Sequence, residues 1–334
     1  MKRYLLVDFY NTFIRSFNVV PITNDNGDHA GGTYGFLRSM KSAIDKFSPT
    51  EVYIIADGPQ ASLRRRIVDK DYKSNRKREW KRGIVKAYDF LSEQEHSESF
   101  SKQLTRLQEY LNILSIKKIQ IPYIEADDII AQIANTSDKD VEVIIYSTDA
   151  DFKQLISDRV FCYNPIAKLL TTKEKFLEKH GYLPNNYIYF KCIAGDKSDE
   201  ITGVGERIGE KTFAKMFPIA QEEKFKSLKD LLVFSQLEVD SKRNKSKSIL
   251  RQHQALIENE TLLQKNWTLM QLQDVDVSMQ TKDVIRKVMA TSPNEFNRQR
   301  LRRMFMEDSF GSELQYFDAW SRIFTRLALK GRKV

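Results

Sequence analysis

Cysteine and histidine are scarce in this chain of 334 residues. The two cysteines, Cys162 and Cys192, are too few for a disulfide framework. They fit free thiols in a reducing cytoplasm. The four histidines (His29, His96, His180, His253) stand singly, at no zinc-ligand spacing, which argues against a zinc enzyme or a histidine-based triad. No run approaches the ~20 apolar residues of a membrane span. The opening Met1-Lys2-Arg3-Tyr4-Leu5-Leu6-Val7-Asp8 turns acidic too soon for a secretory signal. No internal repeat is visible. Gly203-x-Gly205-x-x-x-Gly209 is no dinucleotide fingerprint, because its spacing differs and no strand precedes it. It is no P-loop, since Lys211 does not directly follow Gly209. A phosphatase-type Asp-x-Asp is missing, because Tyr10 stands where the second acid would be.

What the chain has in quantity is charge, with a net +9. Within that basic background carboxylates gather. Glu125-Ala126-Asp127-Asp128 and Ser147-Thr148-Asp149-Ala150-Asp151 are the densest clusters, and Asp8, Asp57, Asp196 and Asp199 complete a set of nine. Acid concentrated inside a basic protein points to divalent cations acting on a polyanion, above all nucleic acid.

The first half alternates strand and helix. Short apolar runs at Tyr4–Val7, Val52–Ala56 and Val141–Tyr146, with weaker ones at Ile116–Ile121 and Val160–Tyr163, read as strands buried on both faces. Helical spacing covers Thr33–Phe47, Phe100–Leu114 and Asp128–Ala134. The pattern predicts a doubly wound α/β domain with a mainly parallel sheet over residues 1–189. In such a sheet the functional crevice lies beyond the carboxyl ends of the strands, which is where Asp8, Asp57 and Asp149 fall. From about residue 190 strand-like runs vanish. An all-helical domain is expected over 190–334, with helices at Leu228–Leu237, Ser246–Leu263, Thr281–Met289 and Asn294–Met306, and a mobile basic loop at 240–247.

Each acid alone has a plain explanation: a helix cap at Asp149 or Asp151, a turn at Asp57-Gly58-Pro59, a helix start at Asp127. Their joint placement at strand ends is what indicates a metal site. Two ions roughly 4 Å apart serve phosphodiester cleavage, and Mg²⁺ takes oxygen ligands. Asp149 and Asp151, two apart on an extended segment, would share a face. Asp127 and Asp128 would lie in a first helical turn, where the dipole favours negative charge.

Two cationic features accompany the acids. Residues 64–82 hold ten Lys or Arg against three acids: Arg64, Arg65, Arg66, Lys70, Lys73, Arg76, Lys77, Arg78, Lys81 and Arg82. A solvated helix is the simple reading. The segment starts seven residues after Asp57, however, so it emerges beside the acids. Arg65 or Lys73 is placed to offset charge on a scissile phosphate, and Tyr72 or Trp80 to stack on a base. The second feature is the turn from Gly195 to Lys215. Gly203 and Gly205 would let the backbone approach a phosphate, with Lys211 and Lys215 adding charge.

The order of these pieces resembles the structure-specific 5′-nuclease family, which includes flap endonucleases and the 5′-nuclease domains of bacterial DNA polymerases, and the likeness is strongest to its bacteriophage members. The matching stretches are Leu6-Val7-Asp8-Phe9, Ala56-Asp57, Tyr72-Lys73-Ser74-Asn75-Arg76, Glu125-Ala126-Asp127-Asp128, Ser147-Thr148-Asp149-Ala150-Asp151-Phe152 and Gly195-Asp196-Lys197-Ser198-Asp199. The resemblance implies a PIN-like nuclease fold holding two Mg²⁺ ions, with Mn²⁺ as a substitute. Asp8, Asp57, Glu125, Asp127 and Asp149 would surround the first ion. Asp151, Asp196 and Asp199 would serve the second, and Asp128 would support either. It makes 62–98 an arch-like segment with Arg65 and Lys73 as its cations, and about 193–218 a helix-three-turn-helix gripping duplex. It implies 5′–3′ exonuclease, flap endonuclease and ribonuclease H activity on flapped DNA and RNA–DNA hybrids. It also implies primer removal in replication by a cytoplasmic monomer (in the host cell if phage-encoded), with a sliding clamp and a single-strand-binding protein as partners. One departure is Glu200, where a neutral residue is common. A toxin-like ribonuclease and a catalytically silent DNA-junction binder stay open as alternatives. The first is usually about half this length, and the second would be expected to have lost a carboxylate.

Overall fold

The computed structural model describes residues 2–74, 92–204, 208–241, 246–311 and 315–331. Arg76, Lys77, Arg78, Gly205 and the centre of the 240–247 loop lie outside them. The strands are β1 (Lys2–Asp8), β2 (Glu51–Asp57), β3 (Lys117–Ile121), β4 (Val141–Tyr146), β5 (Val160–Asn164) and β6 (Leu169–Thr171). They form one sheet in the order β3-β2-β1-β4-β5-β6. The first five are mutually parallel, and β6 pairs antiparallel at the edge.

The doubly wound expectation holds, and side-chain alternation shows why. Leu5 and Val7 of β1, Ile54 of β2 and Ile144 of β4 belong to one buried cluster. Leu6, Tyr53, Ile55, Val143 and Ile145 belong to another on the opposite face. Successive side chains point to opposite faces, so an unbroken apolar run requires cover on both. The first face is covered by α1 (Phe9–Val19), α2 (Gly31–Phe47) and α4 (Glu93–Asn112), and the second by α5 (Ala126–Thr136). The short α3 (Leu63–Val68) follows β2. Sequence reading missed α1, whose apolar residues continue directly from β1, and β6, which is only three residues long.

A second core begins with α6 (Lys173–His180) and α7 (Tyr187–Ala194) and continues through α8 (Glu210–Met216), α9 (Leu228–Ser241), α10 (Lys247–Glu258) and α11 (Glu260–Met270). The single helix expected over Ser246–Leu263 is two, α10 and α11. At Asn259 the backbone leaves helical geometry and its side chain caps the Ala255 carbonyl at 2.8 Å. Among the described residues no helix is long and apolar enough to cross a membrane. Cys162 and Cys192 are free thiols.

A division at residue 190 does not match the packing. Tyr72 and Ile156 lie in the helical core. The C-terminal helices α12 (Met279–Ala290), α13 (Arg298–Glu307) and α14 (Phe317–Gly331) return to the α/β layer. Ile285 of α12 joins the face under α5. Leu301, Met304, Phe305, Trp320 and Phe324 of α13 and α14 join the face under α1, α2 and α4. Arg106 of α4 binds Glu307 and Asp308, and the Tyr110 hydroxyl donates to Asp308 at 2.6 Å. Amphipathic periodicity shows that a helix has an apolar face but not which core receives it. Phe305→Ala should therefore cost about 3–5 kcal/mol, as for a central aromatic. Urea unfolding measures this, and a loss below about 1 kcal/mol would mean the tail only decorates the surface.

Candidate metal centre

The acids are placed by the ends of the sheet. Asp8 ends β1, the strand between β2 and β4, and opens α1 by accepting the Asn11 N–H at 3.2 Å. Its other oxygen accepts from the Ser147 hydroxyl at 3.0 Å. Asp57 ends β2 and accepts the Ala126 N–H at 2.7 Å, so it also caps α5. The chain can turn there because Gly58 has no side chain: a Cβ would sit 1.8 Å from the Ile121 carbonyl oxygen. Asp127 lies in the first turn of α5. Asp149 follows β4, and its carboxylate accepts the Asp151 N–H at 2.8 Å. Asp151 thus opens a short 3₁₀ turn, Asp151–Leu155. The expected extended segment with both side chains on one face is absent, because Asp149 caps the turn that follows it.

Asp8, Asp57, Asp127 and Asp149 line one cleft of about 590 Å³, joined by Lys73. Burial and mutual repulsion act on these groups together. Burial first, then Asp127 and Asp57, push Asp8 up to about 7. Burial first, then Asp57 and Asp128, push Asp127 up to about 6 against the pull of Lys73 and Arg65. Asp149 is pushed well above the usual carboxylate range by burial, then by Asp151, Asp127 and Asp8.

Asp151 belongs to a neighbouring group. The Lys191 ammonium of α7 lies 2.7 Å from Asp151 and also binds Asp196. Burial opposes the charged form of Lys191, but Asp151 and Asp196 outweigh it and hold the group above the ordinary lysine range. Burial also raises Asp151, although Lys191 opposes the rise. Burial would raise Asp196 too, but Lys191 and the Ser198 hydroxyl and N–H outweigh it and hold Asp196 low. Asp199 is buried beside this group, and its carboxylate is 4.0 Å from the Lys73 ammonium. Sequence reading missed Lys191, although a single lysine inside the apolar run Tyr187–Ala194 is a legible sign of a buried ion pair.

Glu125 and Asp128 are turned to other work. Buried Arg65 binds Glu125, and its Nη2 donates to Asp128 at 2.9 Å. Its Nε donates to the Leu269 carbonyl of α11 at 2.8 Å. Arg64 also reaches Asp128 at 2.9 Å. Asp128 is therefore an arginine partner here and does not line the cleft. Arg65 likewise sits beneath the cleft, braced between α5 and α11. Lys73 does enter the cleft, where Arg15 of α1 also lies, and its ammonium is 2.6 Å from Glu125. Tyr72, expected to stack on a base, is buried in the helical core with its hydroxyl 3.4 Å from Glu125. Arg66 is exposed and donates to the Tyr72 carbonyl at 3.3 Å.

The glycine-rich turn also has an internal use. A Cβ on Gly203 would lie 2.4 Å from the Ala194 carbonyl oxygen, and Val204 N–H donates to the Ile193 carbonyl at 2.7 Å. Gly203 thus lets the turn pack onto the end of α7. Lys211 and Lys215 are exposed, one helical turn apart on α8. Other cleft residues unassigned from sequence are Tyr10, Asn11, Ile14, Arg15, Thr148 and Ile166. Asn11 accepts both the N–H and the hydroxyl of Thr148, at 3.1 and 3.0 Å, and so ties the β1 and β4 ends together.

The donors fit hard divalent cations: the cleft's acids are all carboxylates, with no histidine or cysteine in its lining. Among the described residues no three acids converge closely enough to chelate an ion as they stand. Arg65, Lys73 and Lys191 carry countercharge. One consequence concerns pH. Asp8 titrates near 7 in the folded chain against an ordinary 3.8, so the folded state binds more protons between those values. Stability should then fall as pH rises through that window. Asn can still cap a helix but carries no charge. In EDTA, Asp8→Asn should match the parent near pH 4 and exceed it by more than about 1 kcal/mol at pH 8. Parallel stability curves across that range would refute the raised titration of Asp8.

Comparison with known proteins agrees with this geometry. The family model of the 5′-3′ exonuclease N-terminal, resolvase-like domain matches residues 3–181. A 5′-3′ exonuclease of Aquifex aeolicus is 33% identical over 214 residues, covering 64% of this chain and 68% of that protein. The thermostable DNA polymerase I of Thermus thermophilus is 31% identical over 216 residues, 64% of this chain but 24% of the polymerase. The chain thus matches about a quarter of the length of such polymerases. Among solved structures, bacteriophage T5 flap endonuclease in complex with DNA and metal ions matches with a TM-score of 0.62 at 21% identity, covering 87% of this chain and 100% of that one. Human GEN1 in complex with Holliday junction DNA matches with a TM-score of 0.56 at 13% identity, covering 96% and 71%. These two share the fold. With its matched domain spanning more than half of its length, the chain belongs to the 5′-3′ exonuclease family, whose members are nucleases that hydrolyse phosphodiester bonds.

Proposed function

We propose that this chain is a Mg²⁺-dependent 5′ nuclease, active with Mn²⁺ as well, that removes RNA primers and 5′ flaps during DNA replication. The observation that carries this reading is the cleft itself: buried Asp8 and half-buried Asp57, Asp127 and Asp149 gathered at strand and helix ends, with Lys73 among them. Asp8, Asp57, Asp127 and Asp149 would hold one ion, and Asp151, Asp196 and Asp199 a second. Divalent ions at such sites activate water and offset charge at the scissile phosphate. The chain's own residues do the positioning. Asp57 and Asp8 each cap the helix that follows them or lies beside them, which ties the acids to the sheet. Glu125 orients Lys73, whose ammonium offsets charge on the phosphate. Exposed Arg66, Lys211 and Lys215 contact backbone phosphates. Water adds to phosphorus and the P–O3′ bond breaks, leaving a 5′-phosphate and a 3′-hydroxyl.

A panel of end-labelled substrates tests this: 5′ flap, nicked duplex, RNA–DNA hybrid and single strand, each with Mg²⁺, Mn²⁺ or EDTA. Flap and hybrid should be cut with either metal and spared in EDTA. Cleavage that persists in EDTA, or no cleavage with either ion, overturns the reading. Asp149→Asn should lower kcat on the flap by roughly a hundredfold or more while flap binding stays close to that of the parent. Undiminished turnover in this variant would remove Asp149 from the site.

A further inference from the structure

Glu200 is the acid of the Asp196–Glu200 turn that the metal reading leaves without a task. It faces the root of the basic segment, where two strained residues meet. Glu200 has φ of 60° and Lys73 has φ of 54°. Neither is glycine, and such backbone persists only where its surroundings over-determine it. The surroundings here are a set of hydrogen bonds. The Lys73 N–H donates to the Asp199 carbonyl at 3.1 Å. The Ser74 N–H donates to the Glu200 carboxylate at 3.0 Å, and the Ser74 hydroxyl donates to the same oxygen. On the other side of Lys73, the Tyr72 ring is buried in the helical core. The backbone is therefore held before and after Lys73, while the Lys73 ammonium points into the acid cleft.

We propose that Glu200 is a positioning residue: through Ser74 it fixes the backbone at Lys73 and so aims the Lys73 ammonium at the scissile phosphate. The inference rests on the reading of the cleft as a phosphodiester-cleaving site. It gives the side chain at Glu200 a task, because one of its oxygens accepts from both the Ser74 N–H and the Ser74 hydroxyl. It also couples the aim of Lys73 to the turn that carries Asp196 and Asp199.

The test uses the full chain with Glu200→Ala, Glu200→Gln, Lys73→Ala and the Lys73→Ala/Glu200→Ala pair. On a 5′ flap in Mg²⁺, Glu200→Ala should lower kcat about tenfold with KM within about twofold. Glu200→Gln should recover most of the loss, since its amide oxygen still accepts from Ser74. The double variant should be no slower than Lys73→Ala alone. Without substrate, amine acylation followed by mass spectrometry should label Lys73 several-fold faster in Glu200→Ala than in the parent. Unchanged kcat in Glu200→Ala, or independent losses in the double variant, overturns the proposal. If the parent cuts no flap, the nuclease reading itself falls. The labelling then decides alone, and equal Lys73 labelling in both proteins refutes the Glu200 tie.

Discussion

Carboxylates crowded at the carboxyl edge of a buried sheet repel one another, and the rest of the structure answers to that repulsion. Buried and half-buried cations hold the edge together. Arg65 takes Glu125 and Asp128, Lys73 takes Glu125 and approaches Asp199, and Lys191 takes Asp151 and Asp196. Burial strengthens each pairing but also penalises every acid left over. Asp8, Asp127 and Asp149 line the cleft and are held above the normal carboxylate range, as is Asp151 despite Lys191. The unrelieved charge is thus concentrated in one cleft, where a divalent cation gains most.

The same ion pairs join the two cores. Arg65 leaves α3, crosses to α5 and ends on the Leu269 carbonyl of α11. Lys191 belongs to the helical core and reaches Asp151 at the end of the sheet. Asn266 of α11 donates to the carbonyls of Cys192 and Thr202, both at 2.8 Å, and fixes the glycine-rich turn against α7. Removing one partner from such a buried set leaves the others uncompensated, so the site and the junction between cores share one stability. The tail adds a third tie by clamping α4 through Arg106 and Asp308.

Legibility in the sequence followed the range of the interaction. The strands of the sheet's centre were readable because full burial on both faces demands an unbroken apolar run, as in Leu5-Leu6-Val7. The meeting of Asp8, Asp57 and Asp149 was readable because strand ends in a parallel sheet converge on one edge. Which acid faces the cleft was not readable. Asp127 and Asp128 are neighbours in one helical turn, yet one lines the cleft and the other pairs with two arginines. A helix turns about 100° per residue, so adjacent acids diverge, and only the position of Arg65 decides which is taken. Tyr72 and Lys73 divide in the same way, one into the helical core and one into the cleft.

By itself the sequence determined the α/β class and the gathering of carboxylates at the carboxyl edge of the sheet. Each follows from local period, residue type and the one-sided geometry of parallel strands. Only the tertiary structure decided which cations neutralise which acids, that Lys73 and not Arg65 enters the cleft, that Gly203 serves the packing of α7, and that the last helices wrap back over the sheet. Those outcomes depend on contacts between residues tens to hundreds of positions apart, such as Arg65 with Leu269 and Lys73 with Glu125. Local pattern carries no record of such contacts, because they exist only once both cores have packed.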